Sequence, residues 1–455
     1  MAECLLTRPP RGRVIAVMVA WNGKAFLETA VASVLRELTD EDDLLVVENG
    51  STDGSFEFLR ARFPEVAVLR TGENLGGAGG FAAGVRVALQ DGGCRYVWLL
   101  DNDILVEPGA LAPLMAVLEK DQRAAAAGSQ LCLYDDPGVI QEVGASYSPW
   151  HGGLRQCDNG RNRLDPQTPP RRVDYLAACS LLVRVEAFRR WGVFREEFFV
   201  FYDDVEWSLR VRAGGEHLWA VPASVVHHCY GGIKATIPWR EYYRKRNRCA
   251  CLRLHPPHYG GLLVLYAYLV FLNYLARFRQ WQGDTVLAEI YRMALEDFLA
   301  GRFGRREIPP GAGDGELPKV LAEAPAIWIH HGLALGDALA VLDAIASRYG
   351  GQSCYLSGRS GDEAVLAGRP GVVLGGPPPN GRVAVVGEVY DWHAARFPCV
   401  VRYRCGGRWE RVPAPMAEYW KTRLKMGVAL FLAVVVALPQ WLVALRRKWP
   451  PPPFP

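Results

Sequence analysis

Short apolar runs alternate with helix-period segments through the first half of the chain. Val14–Val19, Leu44–Val47, Val66–Arg70 and Tyr96–Leu100 are runs of aliphatic and aromatic residues with the length of buried strands. Between the first two, Ala25–Leu38 carries apolar residues at helical spacing (Phe26, Ala30, Val34, Leu38). This alternation predicts an α/β domain on a mostly parallel sheet. Asp135 to Arg172 is rich in Gly, Pro, Asn and Arg without periodicity, and reads as loops covering a site. Periodicity returns with strand material at Val173–Val185, a helix at Glu206–Ala213, and one or two strands over His217–His228 around Pro222.

The pattern changes after residue 255. Tyr259 to Phe278 is strongly apolar and aromatic, and its tyrosines and Asn273 suit a helix lying at a membrane interface. A Gly/Pro-rich linker around Ile308–Asp314 precedes apolar runs at Ala326–Ile329, Ser353–Leu356, Gly371–Leu374, Val383–Val386 and Cys399–Tyr403, which predict a small second α/β or β-rich unit. Met426–Leu445 has no charged residue, is long enough to span a bilayer, and is bracketed by Arg and Lys on both sides. The expected organisation is a catalytic domain over 1–255, an apolar helical membrane-associated region over 256–305, a linker over 306–318, a second domain over 319–415 and a transmembrane helix over 426–445.

Composition narrows the choice. A chain of 455 residues exceeds one ordinary domain, and 50% hydrophobic with 22% charged residues excludes wholesale disorder. A formal net charge of +4 gives no reason to expect a nucleic-acid partner. The 11 cysteines are scattered, with only Cys249-x-Cys251 close together, and read as reduced thiols facing the cytosol. Val14–Val19 is too short for a signal-peptide core and reads as a strand.

Five segments carry candidate chemistry. Trp98-Leu99-Leu100-Asp101-Asn102-Asp103-Ile104 ends a strand in two carboxylates, and residues two apart on an extended chain face the same side. Asp101 and Asp103 can therefore share one hard cation; a turn capped by Asp and Asn is the plain alternative. In Val46-Val47-Glu48-Asn49-Gly50-Ser51-Thr52-Asp53-Gly54, Glu48, Asn49 and Asp53 can bond a nucleoside's base and ribose, or simply form an Asn-Gly turn with a helix cap. The glycine run from Asn74 through Gly76, Gly77 and Gly80 to Gly84 can present backbone N–H groups to a diphosphate, or form a flexible loop. Its spacing is not that of a dinucleotide fingerprint. Tyr202-Asp203-Asp204 follows aromatic bulk, a setting that raises a carboxylate's pKa and suits it to accept a proton, although a helix N-terminus capped by acids has the same pattern. His227-His228 ends a strand, where an imidazole can complete the coordination begun by the two aspartates. His330-His331 reads as a strand terminus, since no convergent partner can be named.

In this order the segments resemble the family 2 glycosyltransferases, particularly the galactofuranosyl- and rhamnosyltransferase-like branch, over Val14 to His255. The resemblance implies a GT-A fold and an inverting, metal-dependent hexosyltransferase. It places donor recognition at Ala20, Asn22, Glu48, Asn49, Asp53, Asn74, Gly76, Gly77, Gly80, Asp101 and Asn102. Glu48 departs from the family's usual Asp. A divalent metal, manganese or magnesium, falls to Asp101, Asp103 and His228, the last matching better than His227 by its spacing from the acidic pair. The base falls within Asp203-Asp204, with Asp204 preferred. Tyr242-Tyr243-Arg244-Lys245-Arg246-Asn247 resembles the branch's Tyr-Tyr-x-x-Arg-Asn segment; its basic residues can hold phosphate or anionic lipid, or form a solvated face. The implied partners are a UDP- or dTDP-linked sugar, galactofuranose or rhamnose, and a lipid-linked or polysaccharide acceptor, with the catalytic domain on the cytoplasmic side of a membrane. Two rivals remain: a metal-dependent nucleotidyl- or phosphotransferase, disfavoured because the glycine run holds no Lys or Arg, and a non-catalytic membrane-anchored scaffold, disfavoured by the intact acids and histidine.

Overall fold

The computed structural model describes residues 5–148, 150, 152–229, 238–281, 285–308, 415–446 and six strands within 326–411. His330-His331 and the linker beyond residue 308 lie outside the described residues.

The main sheet takes strands β1 (Leu5–Leu6), β2 (Val14–Ala20), β3 (Asp43–Glu48), β4 (Ala67–Arg70), β5 (Tyr96–Asp101), β6 (Ile104–Val106), β7 (Ala124–Leu133) and β8 (Ile140–Glu142). After a separate hairpin, β9 (Ala145–Tyr147) with β10 (Leu154–Gln156), it is completed by β11 (Arg171–Val173), β12 (Ser180–Arg184) and β13 (His217–His228). The order is β1-β4-β3-β2-β5-β12-β7-β13-β11, with β6 on β13 and β8 on β7. Parallel pairing joins β4-β3-β2-β5 and recurs between β7 and β13, whereas β12 runs antiparallel to both its neighbours. The sheet is therefore mixed: parallel in its first half, as the strand–helix alternation predicts, and interrupted where Val173–Val185 splits into β11, a turn and β12.

Both faces are covered. Alternate residues of β2 enter different cores, Ile15, Val17 and Val19 on one face and Val14, Ala16, Met18 and Ala20 on the other. Helices α1 (Lys24–Leu35), α2 (Ser55–Arg62), α3 (Gly76–Ala88), α4 (Leu111–Lys120), α5 (Val185–Trp191) and α6 (Asp203–Ala213) supply the flanking layers. In α1 the buried stripe is Leu27, Ala30, Val31 and Val34, while Phe26 sits at the surface, so the expected stripe is turned by about one position. The glycine run is a helix, not a loop. A Cβ at Gly84 would meet Val17 Cγ1 at 2.4 Å and one at Gly80 would meet Val19 Cγ1 at 2.7 Å, so these glycines let α3 lie directly on β2.

Helices α7 (Pro238–Leu254), α8 (Leu263–Trp281), α9 (Thr285–Ala300) and α10 (Pro415–Arg446) form a second packing unit. Ala437 and Ala444 of α10 pack in one core with Leu265, Leu269 and Leu272 of α8. Polar contacts fix the pair: Asn273 Nδ2 donates to Gln440 Oε1 (2.6 Å), Trp441 Nε1 to the Leu262 carbonyl (2.9 Å), and Arg253 to the last carbonyls of α10 at Ala444 and Leu445. Asn273 is thus an interhelical bond rather than a sign of headgroup exposure. Within α10, Thr422–Arg446 is 25 residues long with mean hydropathy 2.4, and is long and apolar enough to cross a membrane by length and composition.

The remaining strands, β14 (Ala326–Ile329), β15 (Ser353–Leu356), β16 (Val372–Leu374), β17 (Val383–Val386), β18 (Cys399–Arg404) and β19 (Arg408–Arg411), make a six-stranded sheet in the order β16-β15-β14-β17-β18-β19. It is parallel except for β19. Each of the five apolar runs named from the sequence of that region contains one of these strands.

Candidate active site

The sheet order gathers the acids. Pairing of β6 with the end of β13 sets His228 opposite Ile104, and the Cys229 N–H donates to the Asp103 carbonyl (2.8 Å). The imidazole Nε2 then lies 3.4 Å from Asp103 Oδ1 and 3.8 Å from Asp101 Oδ2. Its Nδ1 is engaged by Gln141 Oε1 at 2.9 Å, which orients the ring with Nε2 toward the carboxylates. His227 points elsewhere, bonding Glu107 through Nε2 at 2.7 Å. The antiparallel β12 brings Cys179 beside Asp101, so that Asp101, Cys179 and His228 each place a ligand atom within 4.8 Å of the others.

The acidic pair stands in the first turn of α6, so both meanings of that motif hold: a helix N-terminus carrying acids, and two carboxyls in a cavity. Asp204 Oδ2 accepts from Tyr175 Oη (2.9 Å) and the Ala178 N–H (3.3 Å), and Oδ1 from the Val205 N–H (2.8 Å). The approach is strained, since Phe199, Phe201 and Tyr202 have φ of 65°, 62° and 69°. Asn247 holds this turn through Nδ2, within 2.9 Å of the carbonyls of Phe198, Val200 and Phe201, and Arg246 donates to Phe198 O and Gly304 O. The Arg-Asn of the Tyr-Tyr-x-x-Arg-Asn segment is thus the clamp on the acidic turn.

Asp101, Asp203, Asp204, Tyr175, Cys179 and His228 line one cavity of about 580 Å³. Burial, with the charges of Asp103 and Asp204, pushes the Asp101 carboxyl up to about 7. Burial and Asp204 push Asp203 well above its ordinary range. Burial also raises Asp204, against the hydrogen bonds from Tyr175, Ala178 and Val205. For His228, burial opposes protonation, but Asp103, Asp101 and Glu142 outweigh it and the pKa rises. So many convergent acids with one imidazole form a donor set that fits a hard divalent cation.

A second cavity of about 500 Å³ meets the first at Gly77 and Val200, which line both. Asn49, Asn74, Gly76 and Asn102, four of the donor candidates, line it. The other donor candidates are built into the scaffold. Glu48 is buried, accepting the Ser51 N–H at 2.5 Å and lying 3.3 Å from Arg70 Nε. Asp53 accepts from the Lys24 N–H and from Ser55 N–H and Oγ, as a helix-start turn does. Ala20 is buried, its carbonyl taken by the Asn49 N–H. Asn22, with φ of 46°, accepts the Thr52 N–H through Oδ1. Gly80 packs on Val19. These five line neither of the two cavities, because a strand-end polar turn must first satisfy its own backbone. The α3 N-terminus is likewise partly spent: Ala78 N–H donates to Phe199 O, and Gly76, at φ of 72°, would put a Cβ 2.0 Å from that carbonyl. Gly77 alone of the run has open space where a Cβ would stand and faces both cavities.

Several lining residues escaped the sequence reading. Trp21 and Trp239, both partly exposed, and Arg305 and Arg306 line the second cavity, the arginines arriving from the segment after α9. The first holds Glu142, whose carboxyl burial raises to about 7 and whose Oε2 accepts from Gln156 Nε2 (2.7 Å). No spacing links these residues to the motifs; only Trp21, beside Asn22, had a signal.

The profile of Glycosyl transferase family 2 matches residues 15–190. N-acetylglucosaminyl-diphospho-decaprenol L-rhamnosyltransferase of Mycobacterium tuberculosis is 30% identical over 241 residues, which cover 47% of this chain and 75% of that protein. The chain belongs to the family 2 glycosyltransferases. This glycosyltransferase is also similar to galactofuranosyltransferase GlfT2 of Mycolicibacterium smegmatis, at 23% identity over 64% of this chain and 48% of that one. Among solved structures, GalNAc-T7 with UDP, GalNAc and Mn2+ superposes with a TM-score of 0.45 at 16% identity, covering 69% of this chain and 61% of the other. Family membership and the β4-β3-β2-β5 parallel half with its strand-end acids agree on the GT-A class.

Proposed function

We propose that this glycosyltransferase is an inverting, metal-dependent enzyme that moves rhamnose or galactofuranose from a nucleotide-linked donor to a hydroxyl of a lipid-linked or polysaccharide acceptor at a membrane. The observation that carries this reading is the convergence of Asp101 and Asp103 on His228, with Asp101 and His228 lining the cavity that also holds Asp204. Asp101, Asp103 and His228 would hold a divalent cation, whose charge offsets that of the departing nucleoside diphosphate. Asn49, Asn74, Asn102 and Gly77 line the donor cavity, and Trp21 and Trp239 offer aromatic faces for its base. Asp204, its proton affinity raised by burial and its orientation set by Tyr175 and Ala178, accepts the proton of the acceptor hydroxyl as that oxygen attacks the anomeric carbon from the opposite face. No covalent sugar–enzyme bond is needed, and inversion follows from the single displacement. Substrate class rests on the names of the relatives, which include rhamnosyl- and galactofuranosyltransferases. The membrane rests on Thr422–Arg446.

Calorimetry against UDP, dTDP, UDP-galactofuranose and dTDP-rhamnose, with and without manganese and with Asp103→Ala alongside, tests the reading. Manganese-dependent binding of one nucleotide sugar, lost in the variant, is expected. A folded protein that binds none of the four contradicts it.

A further inference from the structure

The first cavity has a cationic wall that the transfer reaction does not use. Arg244, Lys245 and Arg248 of α7 line it together with the acids, Arg248 lying four residues on from Arg244 and three from Lys245, spacings that put it beside both on the helix surface. Their neighbours Arg246 and Asn247 turn the other way, to clamp the acidic turn. Lys245 lies 3.1 Å from Glu241, but Arg244 and Arg248 form no ion pair among the described residues. Each guanidinium instead sits over an aromatic ring, Arg244 at 5.3 Å from the centre of Phe201 and Arg248 at 4.6 Å from that of Tyr268. Stacking fixes the plane of a guanidinium while leaving its N–H edge open to an anion. Arg248 Nε is buried and without a hydrogen-bond partner among the described residues, a polar group that a bound anion would satisfy.

An acceptor hydroxyl is uncharged and gives no reason for two unpaired arginines beside its base. The donor's phosphates fall to the proposed metal triad, and Arg305 and Arg306 line the other cavity, Arg306 beside Asp297. We propose that the α7 face of Arg244, Lys245 and Arg248 binds the phosphate groups of the acceptor, the diphosphate that joins its first sugar to a lipid. This rests on the transferase reading with a lipid-linked acceptor. The placement agrees with the order of such a molecule: Tyr268, which belongs to α8, lines the same cavity, and α8 packs along α10, the helix apolar enough to span a bilayer. The reactive hydroxyl at Asp204, the diphosphate on α7 and the lipid toward α8 and α10 then follow one another. Bidentate arginine–phosphate bonds are the fitting chemistry.

The test compares two acceptors carrying the same sugar, a short-chain lipid diphosphate and a neutral alkyl glycoside, with full-length wild type, Arg244→Gln, the Arg244→Gln/Arg248→Gln double variant and Arg248→Lys. The double variant is expected to raise KM for the diphosphate acceptor roughly tenfold to a hundredfold, leaving kcat, donor KM and the alkyl glycoside reaction unchanged, with Arg248→Lys recovering part of the loss. If the double variant fails with both acceptors, the exposed Arg244→Gln alone decides, by the same selective rise. An unchanged KM in variants of an enzyme that does prefer the diphosphate acceptor overturns this assignment alone. A wild type indifferent to the diphosphate overturns it together with the lipid-linked acceptor. A raised donor KM reassigns the arginines to the donor. Lost binding to phosphatidylglycerol-containing vesicles, with acceptor preference intact, makes the row a headgroup contact and overturns the proposal.

Discussion

The two cavities that meet at Gly77 are built in different ways. The donor side stands on the parallel half of the sheet, where strand ends and the α3 start lie close in sequence to the residues that line it, Asn49, Asn74, Gly76 and Asn102. The base side stands on the antiparallel half and is assembled from β5, β8, β10, the segment leading into β12, β13, α6, α7 and α8, with acids held at raised pKa by burial. The first joins amides and backbone to aromatic faces and two arginines. The second gathers buried acids, and the strained turn that leads into Asp203 and Asp204 is clamped from behind by Arg246 and Asn247.

Breaking that contrast on the base side has the largest effect. Chelating divalent metal is expected to lower transfer by roughly 10³, the several kcal/mol that a cation contributes to a developing diphosphate; full activity in chelator would remove the metal from the account. Asn247→Ala comes next. It frees three carbonyls of the turn at Phe198, Val200 and Phe201, and is expected to cost about 1–3 kcal/mol of stability and to lower kcat, read by thermal unfolding and single-turnover transfer.

Protonation sharpens the same comparison. Asp101 and Glu142 have folded pKa values raised to about 7, against about 4 unfolded. Between those values the folded state binds more protons, so stability is fullest below about 4 and falls as pH rises through about 7. Metal-free protein is expected to lose melting temperature from pH 5 to pH 7.5, and Glu142→Gln to flatten that slope. A flat slope in the parent would show the acids to be ordinary. The smallest effect belongs to the donor-side scaffold: Asp53→Ala is expected to cost about 1 kcal/mol with nucleotide affinity unchanged, because its oxygens serve the starts of α1 and α2. A tenfold loss of nucleotide affinity would return Asp53 to the donor site.

What the sequence discloses follows the same divide. β2 to β5 are legible as buried strands, the places of Asp101, Asp103 and His228 because they stand at strand ends, and that of the acidic pair because it opens a helix, and all five second-sheet runs from Ala326 to Cys399 contain strands. At Glu48, Asp53 and Asn22 the sequence leaves two readings open, since a polar turn bonding its own backbone and one bonding a nucleoside have the same composition; the structure shows the first set of bonds. The glycine run misleads differently: its density reflects α3 lying on β2 at Gly80 and Gly84, a tertiary requirement that reads locally as flexibility. Glu142, Arg305 and Arg306 are invisible in sequence because only the fold brings them to a cavity.

The assignment of Asp204 as base is tested most directly by single-turnover transfer with Asp204→Asn and Asp203→Asn, measured beside donor affinity. Asp204→Asn is expected to keep its nucleotide-sugar affinity and lose about 10²–10⁴ in rate, with Asp203→Asn affected far less. Near-normal transfer by Asp204→Asn, with the loss falling on Asp203→Asn, would contradict it.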